Sequence, residues 1–279
     1  MDEGIQEIMT FKTGESLFGV PIQNVLSILG ESDKMFCKAF RSKEALGIIE
    51  YRGIPVAVID LAIAGNITSD SELKTGLIEV LNQREQDHID WLDALEKSIT
   101  DNEPFTLPKE AHNCEFGRWQ KTVVTKDDDL REIINEFEEP HTNLHSIADR
   151  LLTMKNNGED IEKCLEILAV ERNTTLAKLT ALFERAVNQL KSTIKPVFIY
   201  LTLDGNTPCA AIRVDEIADV ESIAENAFVS MTEMALPQVN DMAYIEGFLK
   251  LGEKGECLLI DVDILTNHRS MDLEQTKSA

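Results

Sequence analysis

Apolar and polar positions follow one period at the two ends of the chain and another in its middle. Ile5–Lys12 and Leu17–Val20 are short apolar-rich runs joined by Thr13-Gly14-Glu15-Ser16, the pattern of strands linked by a turn. Pro21 then opens a piece with Ile22, Val25, Ile28 and Leu29 at helical spacing, and Gly30–Arg41 reads as a loop. Ala45–Tyr51 and Ile54–Leu61 are further strand candidates split by Arg52-Gly53, where glycine suits a hairpin turn. From Ser69 the apolar period lengthens to about 3.6 residues. That predicts helices over Ser71–Ile99 and over Asp127–Phe137, the latter with an acidic first turn suited to the helix dipole. A further helix has Pro140 in its first turn and is stopped by Asn156-Asn157-Gly158. A long helix follows over Ile161–Leu190, with Leu165, Leu168, Leu176, Leu179, Phe183, Val187 and Leu190 on one stripe. At Pro196 the strand pattern returns, over Val197–Leu203, Cys209–Val214, Tyr244–Leu251 and Cys257–Val262.

A β-rich segment, about 130 helical residues, and a resumed β-rich segment together predict an α+β multidomain chain in which one fold is interrupted by a helical insertion. The divisions fall at residues 1–66, 67–194 and 195–266, with a polar tail over 267–279. Three domains in series would show the same alternation. An antiparallel bundle brings its own ends close together, so an insertion adds little beyond loop closure.

Composition narrows the class. Of 279 residues, 43% are hydrophobic and 28% charged, as in soluble globular proteins. The chain has no 18-residue apolar run, and Met1-Asp2-Glu3-Gly4 lacks the basic start of a secretory signal, so a cytoplasmic protein without membrane insertion is expected. Five cysteines, at 37, 114, 164, 209 and 257, show no disulfide framework, in keeping with a reducing compartment. The formal net charge is −23, and it is spread along the chain. Basic against acidic residues number 6 against 9 in 1–66, 15 against 26 in 67–194, and 6 against 15 in 195–279. With no basic stretch to displace counterions or meet headgroups, nucleic acid and anionic membranes are poor partners.

The candidate chemistry is concentrated between His88 and His145. This stretch holds four of the five histidines, both tryptophans and Cys114. Imidazole and thiolate are preferred zinc ligands, and four of them complete a tetrahedral structural site. His141 and His145 are four apart and share a helix face, while His88 falls on the apolar stripe of its own helix. Ordinary polar positions, with Cys114 a small buried hydrophobe, would fit the same spacing. His112 fits no ligand block and reads as a surface residue. Asp60, Asp261 and Asp263 sit at the ends of apolar strands, where Asp caps or turns the chain. No GxxxxGK or GxSxG motif is present, and no enzymatic activity is expected.

The blocks His88-Ile89-Asp90-Trp91, Cys114-Glu115-Phe116-Gly117-Arg118-Trp119 and His141-Thr142-Asn143-Leu144-His145 resemble, in order, the HxxW, CxxGxW and HxxxH motifs of the chemoreceptor zinc-binding (CZB) family. The resemblance implies a zinc site made by His88, Cys114, His141 and His145, and a Cys114 thiolate that senses oxidants such as hypochlorous acid. It also implies pairing of two chains; the stripe of the long helix suits a homodimer through the helical domain, and would equally well serve its own bundle. Zinc serving only as a staple in a constitutive scaffold, or a sensor of zinc levels, are the alternatives.

The flanks are similar to the CheW family of chemotaxis adaptors. Phe18-Gly19-Val20-Pro21-Ile22, Gly47–Leu61 with its Tyr51-Arg52-Gly53 turn, Ala211–Ile217, Tyr244-Ile245-Glu246-Gly247 and Leu258–Leu265 carry the likeness. It implies a pair of five-stranded SH3-like barrels, docking to the chemoreceptor cytoplasmic tip and to the histidine kinase CheA, and no reaction. In that family the arginine of the corresponding turn lies at the receptor groove, which would place Arg52 at the receptor and kinase interface. Glu50 and Tyr51 depart from the usual Asn and Leu beside it.

Overall fold

The computed structural model describes residues 6–30, 35–37, 45–224, 227–230 and 243–266. Ile5, most of the predicted 30–41 loop and the 267–279 tail lie outside them. Two compact units emerge: residues 1–73 with 195–279, and residues 74–194. The first unit contains strands from both ends of the chain.

Twelve strands form two six-stranded sheets among the described residues. They are β1 (Gln6–Thr13), β2 (Ser16–Pro21), β3 (Val25–Gly30), β4 (Met35–Cys37), β5 (Ala45–Tyr51), β6 (Ile54–Asp60), β7 (Val197–Thr202), β8 (Pro208–Val214), β9 (Glu216–Ile223), β10 (Phe228–Ser230), β11 (Ile245–Lys250) and β12 (Glu256–Ile260). One sheet runs β10-β11-β12-β2-β1-β9, the other β3-β7-β8-β6-β5-β4. Each mixes strands from before and after the helical segment: β12 lies parallel to β2 with Cys257 opposite Leu17, and β8 parallel to β6 with Ala211 opposite Val58. Domains in series would not interleave in this way; the helical segment interrupts one fold.

The period-2 alternation explains the packing. On β1, Met9 and Phe11 point into a core shared with Ile199 and Ile212 of the other sheet, while Ile8 points the opposite way, to Cys257 and Leu259. The Ile22–Leu29 piece departs from its helical spacing. After a 3₁₀ turn at Ile22–Asn24 it pairs as β3 with β7, Ile28 opposite Ile199. Cross-strand hydrogen bonds there override a short and ambiguous period.

In the second unit, helix α2 (Asp70–Thr100) buries Leu81, His88, Trp91, Leu92, Leu95 and Ile99 on one stripe. Helices α3 (Glu115–Thr122), α4 (Asp128–Glu136), α5 (Glu138–Asn156), α6 (Ile161–Glu171) and α7 (Ala177–Thr193) follow, numbered after the short α1 (Leu61–Ala64). Gly158, at φ +78°, ends α5 in the left-handed conformation that glycine tolerates. The long helix predicted over 161–190 is divided by a π-helical turn at Arg172–Leu176. There Arg172 meets Asp93 at 2.7 Å and Glu96 at 2.8 Å on α2.

The start of α2 is fixed within the first unit. Ser69 Oγ accepts the Glu72 amide at 3.1 Å, as a helix cap does. One oxygen of Asp215, between β8 and β9, accepts both the Gly14 amide (2.7 Å) and the Asp70 amide (2.9 Å). Gly14 sits at φ +57°, and a Cβ there would lie 2.4 Å from the Thr68 carbonyl oxygen. The sequence places this join at 66/67; contacts place it at 73/74, because the first turn of α2 belongs with the sheets through Asp215.

Candidate metal centre

Helical spacing brings three ligand-type side chains to one point and a helix start brings the fourth. His88 comes from α2, His141 and His145 from successive turns of α5, and Cys114 is the N-cap of α3. One ligand atom from each lies within 4.8 Å of those of the others, the only such cluster of three or more ligand-type residues among the described residues. All three imidazoles are buried, at 2–3% exposure, and Cys114 is partly so.

Two of the histidines are oriented by backbone carbonyls. The Arg84 carbonyl oxygen accepts from His88 Nδ1 at 2.6 Å, and the Pro108 carbonyl from His145 Nδ1 at 3.1 Å. With Nδ1 protonated, Nε2 of each carries the lone pair, and both Nε2 atoms are buried with no hydrogen-bond partner in the protein. Orphaned buried acceptors are rare because each leaves desolvation uncompensated. A cation satisfies both. The donor set also fits zinc: three neutral imidazoles and a sulfur, with the outer nitrogens of His88 and His145 tied to carbonyls. Cys114 Sγ lies 3.2 Å from His141 Nε2 and accepts the Gly117 amide at 3.3 Å.

Burial shapes the protonation of the metal-free cluster. Desolvation, reinforced by the other two histidines, pulls His141 down from 6.5 to about 3. His145 falls to about 4, chiefly by desolvation and then by His88, against carbonyl hydrogen bonds from Pro108 and Lys109. His88 is lowered by burial despite its bond to Arg84 and the nearby Asp87. Burial raises the Cys114 thiol, opposed by the Gly117 and Phe116 amides and by Arg118 and Arg84. The site therefore presents neutral imidazoles over the whole physiological range, and a bound cation is what would overcome the raised thiol.

An aromatic wall surrounds the cluster. Phe116 and Phe183 pack on the His88 ring at 5.7 and 5.8 Å, and Trp91 lies 4.7 Å from His145 while donating its indole N–H to the same Pro108 carbonyl at 2.8 Å. On one side a cleft of about 590 Å³ reaches His141 and His145 between Ala111, Gly117 and Gln120. Gly117 is required where it stands: a Cβ would fall 2.1 Å from the Ala111 carbonyl oxygen. Gly117→Ala should force α3 away from the 111–113 turn and displace the Cys114 sulfur. Zinc affinity, measured by chelator competition, is expected to drop about tenfold or more, the scale of disrupted ligand support; an unchanged affinity would show that the contact relaxes freely.

Arg84 and the Pro108 carbonyl are absent from any reading of the ligand blocks, since a carbonyl acts through its place in the backbone and not through its side chain. The remaining sequence candidates lie elsewhere. Arg52 occupies the β5–β6 turn at φ +50°, exposed, its guanidinium 5.2 Å from the Tyr51 ring. Asp60 accepts the Ala62 amide and pairs with Arg213 at 3.1 Å, and Asp261 accepts the Ile264 amide. His112 is exposed beside Glu110. Among the described residues no helix is long and apolar enough to cross a membrane.

Residues 88–152 match the family model of the chemoreceptor zinc-binding domain, a stretch that starts at the first ligand and contains the other three. No curated protein matches the chain. Among solved structures, the scaffolding protein TtCheW from Thermoanaerobacter tengcongensis aligns over 95% of this chain and 94% of its own, at 13% identity and a TM-score of 0.42.

Proposed function

We propose that this chain is a cytoplasmic chemotaxis adaptor, with no reaction of its own, that links chemoreceptor tips to the kinase CheA and carries a zinc-thiolate redox sensor in its inserted unit. One observation carries the reading: a buried His88–Cys114–His141–His145 quartet, inside a zinc-binding domain match, interrupts a two-sheet fold whose strands bear the adaptor-like motifs. Zinc, when bound, supplies a positive charge that holds Cys114 as thiolate.

The residues then account for sensing. Cys114 is the one ligand with a reactive atom, and it is partly exposed where the histidines are buried. Hypochlorous acid would convert it to a sulfenic acid: the sulfur gives two electrons, an S–O bond forms, the O–Cl bond breaks and chloride leaves. Cys114 also caps α3 and holds the Gly117 amide, so oxidation alters both a ligand and the start of a helix. His88 rides on α2, whose first turn is fixed by Asp215 between β8 and β9. That single helix gives a physical path from the quartet toward the adaptor fold. Arg52, exposed in its hairpin, is assigned to the receptor and kinase interface. A homodimer through the helical unit belongs to the same reading, with Val80, Ile161 and Val170 as exposed apolar side chains there.

The test is CheA activity in reconstituted receptor assemblies, with and without limiting hypochlorous acid. Wild type should change kinase output on oxidation, and Cys114→Ser should give the same output in both conditions. An oxidant response that persists in Cys114→Ser removes the redox role. Burial of the three histidines favours a second reading, zinc as a staple in a constitutive scaffold; it is the outcome if Cys114 stays unmodified while zinc remains bound.

A further inference from the structure

Three buried nitrogens at the metal centre have no hydrogen-bond partner in the protein: His88 Nε2, His145 Nε2 and Arg84 Nε. A cation accounts for the first two. The third is an N–H donor on a positive group, which a metal would repel. Leaving such a donor unmatched is unfavourable, so a buried one calls for an acceptor.

The placement of Arg84 indicates which acceptor. It stands one turn before His88 on α2, and its own carbonyl orients that ligand. Its guanidinium crosses to α3, with Nη1 3.2 Å from Asp87 and 3.7 Å from Glu115, the residue that follows Cys114. The side chain is only 20% exposed, and its charge is felt at both His88 and Cys114. The other cation near the sulfur, Arg118, is half exposed and already occupied, donating to the Asn113 carbonyl and to Glu115. Arg84 thus holds a desolvated, unmatched donor on a guanidinium that reaches the residue next to Cys114, the one ligand that gains oxygen on oxidation.

Resting on the redox reading above, we propose that Arg84 is the positioning residue for the oxygen that Cys114 acquires, its Nε–H donating to that oxygen and holding the modification at the one-oxygen stage. The reaction is the one already written: sulfur is oxidised by two electrons, chlorine is reduced to chloride, and the oxygen stays on sulfur with its proton. A second oxidant molecule must then attack a sulfur whose oxygen is fixed by a charge-assisted hydrogen bond. Arg84 sets how long the reversible product lasts.

The experiment uses the zinc-loaded full chain as wild type, Arg84→Gln, Arg84→Lys and Glu115→Gln. Each is treated with limiting hypochlorous acid, followed by intact mass, and trapped at intervals with a cyclic 1,3-diketone that reacts with sulfenic acids; zinc content is measured beside it. Arg84→Gln should shorten the lifetime of the trappable adduct about tenfold, the loss of one charge-assisted hydrogen bond, with two- and three-oxygen products in its place. Arg84→Lys retains charge and should retain zinc, yet shorten the lifetime as well. Glu115→Gln removes the bridging carboxylate but keeps the Nε–H, and should behave as wild type. Equal lifetimes in wild type and either Arg84 variant overturn the assignment, as does a Glu115→Gln defect as large as that of Arg84→Gln, which would make Arg84 a mere brace. Absence of any adduct in wild type fails differently, because it removes the redox reading itself.

Discussion

His141→Ala is expected to leave the purified chain without stoichiometric zinc and to lower the thermal midpoint of the helical unit by roughly 10–20 °C, while the two sheets keep their own transition. His141 is the centre of the cluster: its ring lies 5.0 Å from that of His88 and 4.9 Å from that of His145, and its Nε2 lies 3.2 Å from the Cys114 sulfur. Its loss removes one ligand and leaves the buried Nε2 atoms of His88 and His145 without a shared cation. A ligand present at a thousand times its dissociation constant contributes about 4 kcal/mol to the folded state, and that contribution disappears with the metal. Complete unfolding is not expected. Leu81, Leu92, Leu95, Leu144, Leu151 and Leu179 are fully buried around the centre and supply a core of their own. Chelation of the wild type should reproduce the shift, and His112→Ala, at an exposed position, should show neither change. Elemental analysis with calorimetry checks both halves; zinc lost with no movement of the midpoint would mean that the metal does not brace the unit.

How much of this was legible in the sequence depends on whether a feature is local. His141 and His145 announce themselves because four residues make one helical turn, and His88 because it falls on the stripe of Leu81, Leu92 and Leu95. Cys114 was legible only through its block, since its place as an N-cap depends on a 3₁₀ turn at Ala111–Asn113 that no apolar period marks. Edge strands were lost for a related reason. β9 exposes most of both faces and carries Glu216, Asp219 and Glu221, neutralised by Lys12 from β1 and by Lys254, so its alternation is hidden by charge. The interleaving of β2 with β12 and of β6 with β8 joins residues some 150 to 240 apart, and periodicity says nothing about partners at that range. The π turn at Arg172 is likewise invisible locally; it is held by Asp93 and Glu96 from another helix.

Acid should separate the metal-free protein from the loaded one. In the metal-free unit His141 and His145 titrate at about 3 and about 4, well below the usual 6.5, and His88 is lowered too. The unfolded chain therefore binds more protons than the folded one between about pH 6.5 and 4. Stability is complete above 6.5 and falls as pH drops toward the folded values, by about 2 kcal/mol at pH 5 for each of His141 and His145. Cys114 acts in the opposite direction: its thiol is raised, so its contribution is complete below its ordinary 9.0 and is lost only as pH rises beyond it. The groups facing the histidines do not reverse the trend, since Asp87 and the carbonyls of Arg84, Pro108 and Lys109 raise these values less than burial lowers them. The loaded protein behaves differently for the same reason. Protons reach buried imidazoles only weakly at pH 5, so zinc should remain bound there, unlike zinc on exposed histidines, which protons displace near 6.5. Release should instead coincide with loss of helix at lower pH. A metallochromic dye and circular dichroism followed along one acid titration decide it: zinc leaving near pH 6.5 from a unit that keeps its helices would show that solvent reaches these histidines, against the burial that this account of the site depends on.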